Sequence, residues 1–366
     1  MSERHAVAMR VSVDEIAAFP DRIDVRSPAE FALDHVPDAM NLPVLDNVER
    51  ARIGTLYSGS AFEARRLGAA LVARNIAAML DGALADKARD WQPLVYCWRG
   101  GQRSRALAHV LNEVGWRARQ LDGGYRAYRR HVVTQLALLP PRFRFVVLCG
   151  LTGSGKSRLL AALAQAHAQT VDLEGMARHR GSVLGELPGV VQPSQKAFET
   201  GIAAALGALD PARIVFVESE SRRIGRLQVP QTLLACMHRA RNITLITALN
   251  ERVALIKQEY APWLEGPAPL AQRLEPLAPL VGNAVLARWQ EFASEKDWNS
   301  LIGELLSLHY DPLYTRSLQR HFSGGNVLEN EKIEVVDASA AAFDALAADI
   351  ITTTEGQPQL MDSHER

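Results

Sequence analysis

The chain is poor in cysteine. It has three in 366 residues, Cys97, Cys149 and Cys236, at separations that fit neither a disulfide framework nor a zinc ligand set. That excludes a small disulfide-stapled scaffold and points to a reducing, cytoplasmic setting in which a thiol stays free. Long apolar runs are lacking too. No stretch approaches the roughly 20 residues of a membrane-spanning helix. The opening Met-Ser-Glu-Arg-His carries no secretory apolar segment, so no membrane partner is expected. Net charge is also missing, with 41 basic residues against 41 acidic ones. A balanced total supplies no global field for a polyanion, but it conceals local asymmetry. Between Arg99 and Arg130 stand eight arginines against Glu113 and Asp122, whereas Glu329–Arg366 carries nine acids against two bases. What remains is an ordinary globular composition, 48% apolar and 22% charged, in a chain long enough for two cores.

The first half alternates strands and helices, the pattern of a parallel α/β sheet. Val11–Phe19 predicts a short helix with Ser12 and Glu15 as a capping box, and Arg22–Arg26 a strand. Ser27-Pro-Ala-Glu30 predicts a helix start with Pro at its first position. Residues 60–80 read as helix, and Trp91–Tyr96 and Ala118–Gly124 as strands. After Tyr96 comes Cys97-Trp-Arg-Gly-Gly-Gln-Arg103, then a helix from about Ser104. A loop at the carboxyl end of such a strand is where these sheets bind ligands. Backbone dipoles, the helix start and the cations Arg99 and Arg103 would all favour a thiolate at Cys97.

Asp24-Val-Arg-Ser-Pro-Ala-Glu-Phe31, the run His35–Pro43, the Cys97 loop and Leu121-Asp-Gly-Gly-Tyr125 together resemble the rhodanese superfamily. That resemblance implies a cysteine that carries sulfane sulfur or selenium. Five residues separate Cys97 from Arg103, a spacing similar to the superfamily's phosphatase branch and long enough for a tetrahedral phosphorus centre with Arg103 pairing its oxygens. The loop alone therefore allows chalcogen transfer or phosphatase chemistry. His35 reads as a hydrogen-bonded structural residue.

Pro140-Pro141 predicts an extended linker. The strand Arg144–Cys149 then runs into Gly150-Leu-Thr-Gly-Ser-Gly-Lys-Ser157, a complete G-x-x-x-x-G-K-[ST] phosphate loop with a helix to about Gln165. Gly150, Thr152, Gly153, Ser154 and Gly155 would wrap an oligophosphate, Lys156 would neutralise it, and Ser157 could ligate Mg²⁺. Gln169–Glu174, Ile214–Glu218, Asn242–Thr247 and Lys332–Asp337 complete a sheet of about five strands. Asp172 and Glu218 are candidates for the metal or for acid–base work. Arg178, His179 and Arg180, and Arg222, Arg223 and Arg226, are candidate phosphate or RNA contacts. Cys149 reads as core.

The expected architecture is thus a rhodanese-like parallel-sheet domain over residues 1–138, followed over 142–352 by a P-loop NTPase-like α/β domain with a helical insertion near 262–322. An acidic, flexible tail, 353–366, would complete the chain. That domain pair, with Asp172–Ser182 and Gln192-Pro-Ser-Gln-Lys-Ala-Phe-Glu199, resembles the bacterial tRNA 2-selenouridine synthases. The resemblance implies a monomeric enzyme with no tightly bound cofactor that converts wobble 2-thiouridine, in tRNAs for Lys, Glu and Gln, to 2-selenouridine. Cys97 would take selenium from selenophosphate, provided by a supplying enzyme, with Trp98, Arg99, Gly100, Gly101, Gln102 and Arg103 as the selenophosphate loop. The phosphate loop would hold geranyl diphosphate for prior S-geranylation, and Leu274, Leu277, Leu280, Val281, Leu286 and Trp289 would shelter its chain. The competing readings are an ATP-dependent kinase–sulfurtransferase fusion, a rhodanese-superfamily phosphatase and a non-catalytic ligand-binding regulator.

Overall fold

The computed structural model describes residues 10–182, 185–187, 189–264, 274–314 and 331–355. The chain forms two compact units, Met1–Ala137 with Pro193–Ala204, and Leu138–Gln192 with Ala205–Arg366. The sequence had suggested a single crossing near residue 140, yet Pro193–Ala204 groups with the first unit. Its side chains account for this: Phe198 and Ile202 are buried, the Thr200 hydroxyl donates to Asp34 Oδ2 at 3.1 Å, and Glu199 pairs with Arg129.

The first unit contains β1 (Arg10–Val11), β2 (Arg22–Asp24), β3 (Ala39–Asn41), β4 (Leu94–Tyr96) and β5 (Arg119–Leu121). They form one parallel sheet in the order β1-β5-β4-β2-β3. Parallel sheets are covered on both faces, which is why the middle strand, Leu94-Val-Tyr, is apolar throughout and fully buried. Its flanking helices are α1 (Pro28–Leu33), α2 (Asn47–Gly59), α3 (Ala61–Asp81), α4 (Gln102–Val114) and α5 (Gly124–Leu138). α1 starts as expected, with Pro28 at its first position and Ser27 and Glu30 in a reciprocal capping box. The Ser12–Glu15 box is present too, but it opens a six-residue 3₁₀ turn, Val13–Ala18, instead of an α-helix. His35 Nδ1–H donates to Phe31 O (3.0 Å) and the imidazole stacks on the Phe31 ring, a structural role.

The second unit contains β6 (Arg144–Gly150), α6 (Lys156–Gln165), β7 (Gln169–Val171), α7 (Leu173–Ala177) and the end of α8 (Gln195–Ala208). Then come β8 (Ile214–Glu218), the hairpin β9 (Arg223–Ile224) and β10 (Leu227–Gln228), α9 (Gln231–Arg239), β11 (Arg241–Thr247) and α10 (Leu249–Glu259). After α11 (Asn283–Glu295) and α12 (Trp298–Glu304), β12 (Glu331–Val335) and α13 (Ala340–Glu355) close the fold. The sheet is parallel in the order β12-β11-β6-β8-β7, so the phosphate-loop strand β6 is again central. Val146, Leu148, Leu159, Leu163, Phe343 and Ala347 are among its core residues. Cys149 is buried, as a core cysteine should be.

Two expectations fail locally. Pro140-Pro141 is not an extended linker but part of a 3₁₀ turn, Pro140–Arg142, with Pro140 buried. β7 ends at Val171, because the Asp172 carboxylate turns back to cap α7, accepting the Gly175 N–H at 2.7 Å. Residues 265–273 and 315–322 of the expected insertion lie outside the described residues, as does 356–366 of the expected tail, whose first residues instead end α13. Among the described residues, no helix is long and apolar enough to cross a membrane.

One polar feature is enclosed in the first unit. Arg26 and Asp24, 1% and 0% exposed, pair at 2.6 Å, and Arg26 also donates to Asp34 O at 2.7 Å beneath the Tyr125 ring. Removing one member strands a buried charge. Arg26→Met should therefore cost about 3–5 kcal/mol in chemical denaturation, and a loss below about 1 kcal/mol would mean the pair is not shielded from water.

Candidate active sites

Cys97 leaves the end of β4 and lies at the start of α4, whose N-cap is Gly101. Its Sγ accepts the Gly101 N–H at 3.3 Å and the Ser104 hydroxyl at 3.2 Å. Gln120 on β5 holds both donors in place. Its Nε2 donates to Gly100 O at 2.8 Å and to Ser104 Oγ at 2.7 Å, so the serine hydroxyl points its proton toward the sulfur and the neighbouring Gly101 O. Gly100 (φ +63°) and Gly124 (φ +58°) let this loop meet the β5–α5 turn backbone to backbone. A Cβ on Gly124 would lie 2.3 Å from Cys97 O and 2.4 Å from Gly100 N. Cys97 itself is 3% exposed.

Of the loop residues expected around a phosphorus substrate, Trp98, Arg99 and Gln102 are exposed, and Gly101 supplies its N–H to the sulfur. Arg103 is different. Glu30 holds it at 2.8 Å and 3.5 Å through both guanidinium nitrogens. Partial burial pushes the Glu30 carboxyl upward, but the Arg103 hydrogen bond and charge outweigh it and hold the group below its ordinary range. Glu30 also closes the α1 capping box, so one side chain fixes a helix start and the last residue of the Cys97 loop. Ser104, Gln120 and Glu30 were not singled out in sequence. Only Glu30 left a trace there, as the fourth residue of Ser-Pro-Ala-Glu.

In the second unit, Gly150–Gly155 joins β6 to α6, and Gly155 takes φ +92° with Phe343 where a Cβ would point (2.3 Å). The loop is anchored through its carbonyls. Thr247 donates to Ser154 O at 2.9 Å and Arg252 to Thr152 O at 2.9 Å. Arg252, buried, is itself clamped by Asp311 at 2.6 Å. Lys156 Nζ donates to Gly150 O at 2.8 Å and Leu151 O at 3.3 Å. Tyr314 closes the loop from another side: its OH accepts the Gly150 N–H at 3.0 Å and lies 2.9 Å from Ser219 Oγ.

Carboxylates crowd this cation. Glu218, at the end of β8, is 1% exposed, and both its oxygens lack hydrogen-bond partners. Glu174 Oε2 faces Ser157 Oγ at 3.5 Å. Burial, then the charge of Glu218 and Glu220, pushes Glu174 up to about 10. Burial and Glu218 push Glu220 up to about 7, and burial raises Glu218 as well. Burial alone would weaken the Lys156 charge, but the Tyr314 oxygen and these carboxylates more than restore it. Glu218 thus belongs to the site, joined by Glu174 and Glu220. Asp172 caps α7 through Oδ1 and its charge also bears on Glu218. The Ser157 hydroxyl and the orphaned Glu218 carboxylate are hard oxygen donors of the kind Mg²⁺ takes, one or two at a time with waters. Among the described residues, no set of three His, Cys, Asp or Glu could hold a metal ion by itself.

The remaining candidates scatter. Arg178 is exposed at the left-handed end of α7. Arg180 is half-buried and bears on Glu174 and Glu218 electrostatically. His179 is buried, and burial lowers its pKa, which removes it from the set of RNA contacts. Arg222 and Arg223 are exposed beside the β9–β10 hairpin, whereas Arg226 donates to Gln192 O. The apolar shelter is corrected: Leu274, Leu277 and Trp289 are buried in a small core of their own, with Val281 and Leu286 packed against it. Leu280 points outward, 64% exposed. These side chains already have partners.

The raised carboxyls carry a stability consequence. A group whose pKa rises on folding favours the folded state while protonated, and that advantage is lost as pH climbs through the folded value. Glu220, ordinarily 4.5 and here about 7, should make thermal stability fall between about pH 5 and pH 8. Glu220→Gln should flatten that decline and raise the melting temperature at pH 8. A parallel decline in the variant would remove Glu220 as its source.

Comparison with known proteins agrees with this two-part geometry. Residues 13–131 match the family described as rhodanese-like domain, and residues 143–266 that described as tRNA 2-selenouridine synthase AAA domain. The tRNA 2-selenouridine synthase of Nitrosomonas europaea is 29% identical over 85% of this chain and 93% of its own. That of Hydrogenovibrio crunogenus is 32% identical over 81% and 89%, and that of Cupriavidus necator 34% identical over 80% and 86%. With both domains present in order and near-full-length similarity of this extent, the chain belongs to the tRNA 2-selenouridine synthase family.

Proposed function

We propose that this chain makes 2-selenouridine at the wobble position of cytoplasmic tRNAs for Lys, Glu and Gln, in two steps on two loops. The observation that carries the reading is the Cys97 sulfur, which receives two directed hydrogen bonds at a helix start, in a chain that also bears a complete phosphate loop. In the first step, 2-thiouridine sulfur attacks the C1 carbon of geranyl diphosphate and diphosphate leaves. Lys156 and the Gly150–Ser157 loop would take up the charge developing on that leaving group. The three glutamates beside the loop would oppose an anionic ligand only when ionised, so such a ligand is best met with their protons in place or with a cation beside them. Mg²⁺, where it takes part, would be held by Ser157 and Glu218 and would supply that compensation.

In the second step, the Cys97 thiolate, stabilised by the Gly101 N–H and the Ser104 hydroxyl, attacks C2 and geranylthiolate leaves, taking up a proton. The selenium of selenophosphate then attacks C2 and releases Cys97 as thiolate. Water attacks phosphorus and the Se–P bond breaks with its electron pair on selenium, so that 2-selenouridine and phosphate are formed. Arg99, free of ion pairs among the described residues, suits the departing phosphate better than Arg103, which Glu30 already holds. The same Glu30 pair counts against phosphatase action, since phosphatase chemistry needs that arginine for the substrate.

Nucleoside mass spectrometry of tRNA from cells complemented with variants tests both steps. Cys97→Ser should abolish 2-selenouridine while S-geranyl-2-thiouridine accumulates. Lys156→Ala should lower the S-geranyl product by about 100-fold or more. Retained selenouridine in Cys97→Ser would end the route through Cys97. Tight ATP binding with turnover and no response to geranyl diphosphate, in calorimetry, would replace the geranyl step with an ATP-dependent one.

A further inference from the structure

Trp98, the residue after the nucleophile, is 36% exposed, although Cys97 and the strand before it are buried. An indole on the surface costs hydration free energy unless something covers it. Its position is also fixed. The Trp98 carbonyl accepts the Arg126 N–H at 2.9 Å, and its ring lies 5.3 Å from that of buried Tyr125. One cation is placed near the ring, and two more lie close in the chain. Lys196 Nζ is 5.9 Å from the ring, and Lys196 is held at its backbone, where its carbonyl accepts from Arg129 at 3.4 Å. Arg99 follows in the chain and Arg126 begins the next helix; both are exposed and make no ion pair among the described residues. The other exposed aromatics of this unit, Tyr57 and Phe62, lie on α2 and α3 and adjoin no nucleophile.

An exposed aromatic ring fixed at its backbone, with one cation beside it and two exposed arginines without ion pairs among the described residues on the adjoining segments, is the chemistry that receives an unstacked RNA base and its phosphates. We infer that Trp98 is the stacking platform that holds a single-stranded RNA base over the Cys97 sulfur, with Lys196, Arg99 and Arg126 taking the flanking phosphates. The base is the wobble base if the function proposed above holds; the platform itself requires only that this unit bind single-stranded RNA. Stacking explains why the tryptophan follows the nucleophile directly. A base lying on that ring is delivered to the thiol by one covalent neighbour, without a separate clamp. Trp98 acts here as a positioning residue, and the sulfur does the chemistry.

The test measures binding of the full chain to an anticodon stem–loop carrying 2-thiouridine, by fluorescence anisotropy across a salt series. Trp98→Leu keeps an apolar side chain but removes the π face, and should weaken binding by about fivefold or more with the salt slope unchanged. Trp98→Phe should bind within about twofold of the unaltered chain. Lys196→Gln should weaken binding and lower the salt slope by about one, the signature of a lost phosphate contact. Leucine binding as well as tryptophan overturns the inference. So does a loss seen only with S-geranylated RNA, which would make Trp98 a contact for the isoprenoid chain. If the unaltered chain binds the stem–loop but forms no 2-selenouridine, the proposed function fails while the platform is still judged by the Leu and Phe variants.

Discussion

The first unit depends on a place where two backbones touch with nothing between them. Gly100 and Gly124 both take left-handed angles, and a methyl group on either would collide with main-chain atoms of the opposing segment at 2.7 Å or less. That contact brings the β5–α5 turn against the Cys97 loop, where Tyr125 N–H donates to Cys97 O at 2.8 Å. With the cysteine carbonyl engaged behind it, the thiol is directed toward the start of α4. Gln120 can then brace the loop only because β5 runs beside β4. The Cys97 thiol is positioned by sheet order and two glycines before any charge is considered.

The phosphate-loop unit solves a different problem. Its loop carbonyls are pinned by Thr247 and Arg252 and its first N–H by Tyr314, so the loop is held by side chains from outside it. Such pinning lowers the ordering cost of binding. The three glutamates share a shielded site in which like charges this close cannot all be ionised near neutral pH. Their raised pKa values keep protons beside the Lys156 loop, protons that a bound cation would displace.

Where the sequence spoke clearly, a single residue type had a single conformational use. Proline after serine meant a helix start, glycines with Lys156-Ser157 meant a phosphate loop, and an unbroken Leu-Val-Tyr meant a central parallel strand. The failures share a cause as well. The expected strand through Glu174 stops at Val171, because Asp172 caps α7, and only the position of Gly175 N–H reveals that. The Leu and Trp residues after 270 show helical apolar spacing, which cannot say whether the partner is a ligand or a neighbouring helix; here it is a neighbouring helix. Gln120, Ser104, Glu30 and Arg252 reach the sites from distant points of the chain, or as ordinary polar residues, and leave no periodicity to read.

The Glu30–Arg103 pair shows what that long-range information decides. The spacing of Cys97 and Arg103 admits either an arginine that wraps a phosphoryl group or one that belongs to the protein. A two-point ion pair, part-buried with 17% and 21% of the side chains exposed, must be broken before the arginine can serve a substrate. Breaking it would leave a half-buried carboxylate that already closes the α1 capping box, so the rearrangement would disturb a helix start as well. Arg99 carries the same charge on the same loop, is exposed and has no such obligation. For a phosphorus substrate entering at Cys97, the less costly cation is therefore Arg99, and the five-residue spacing to Arg103 is a measure of how the loop is tied down more than of what it binds.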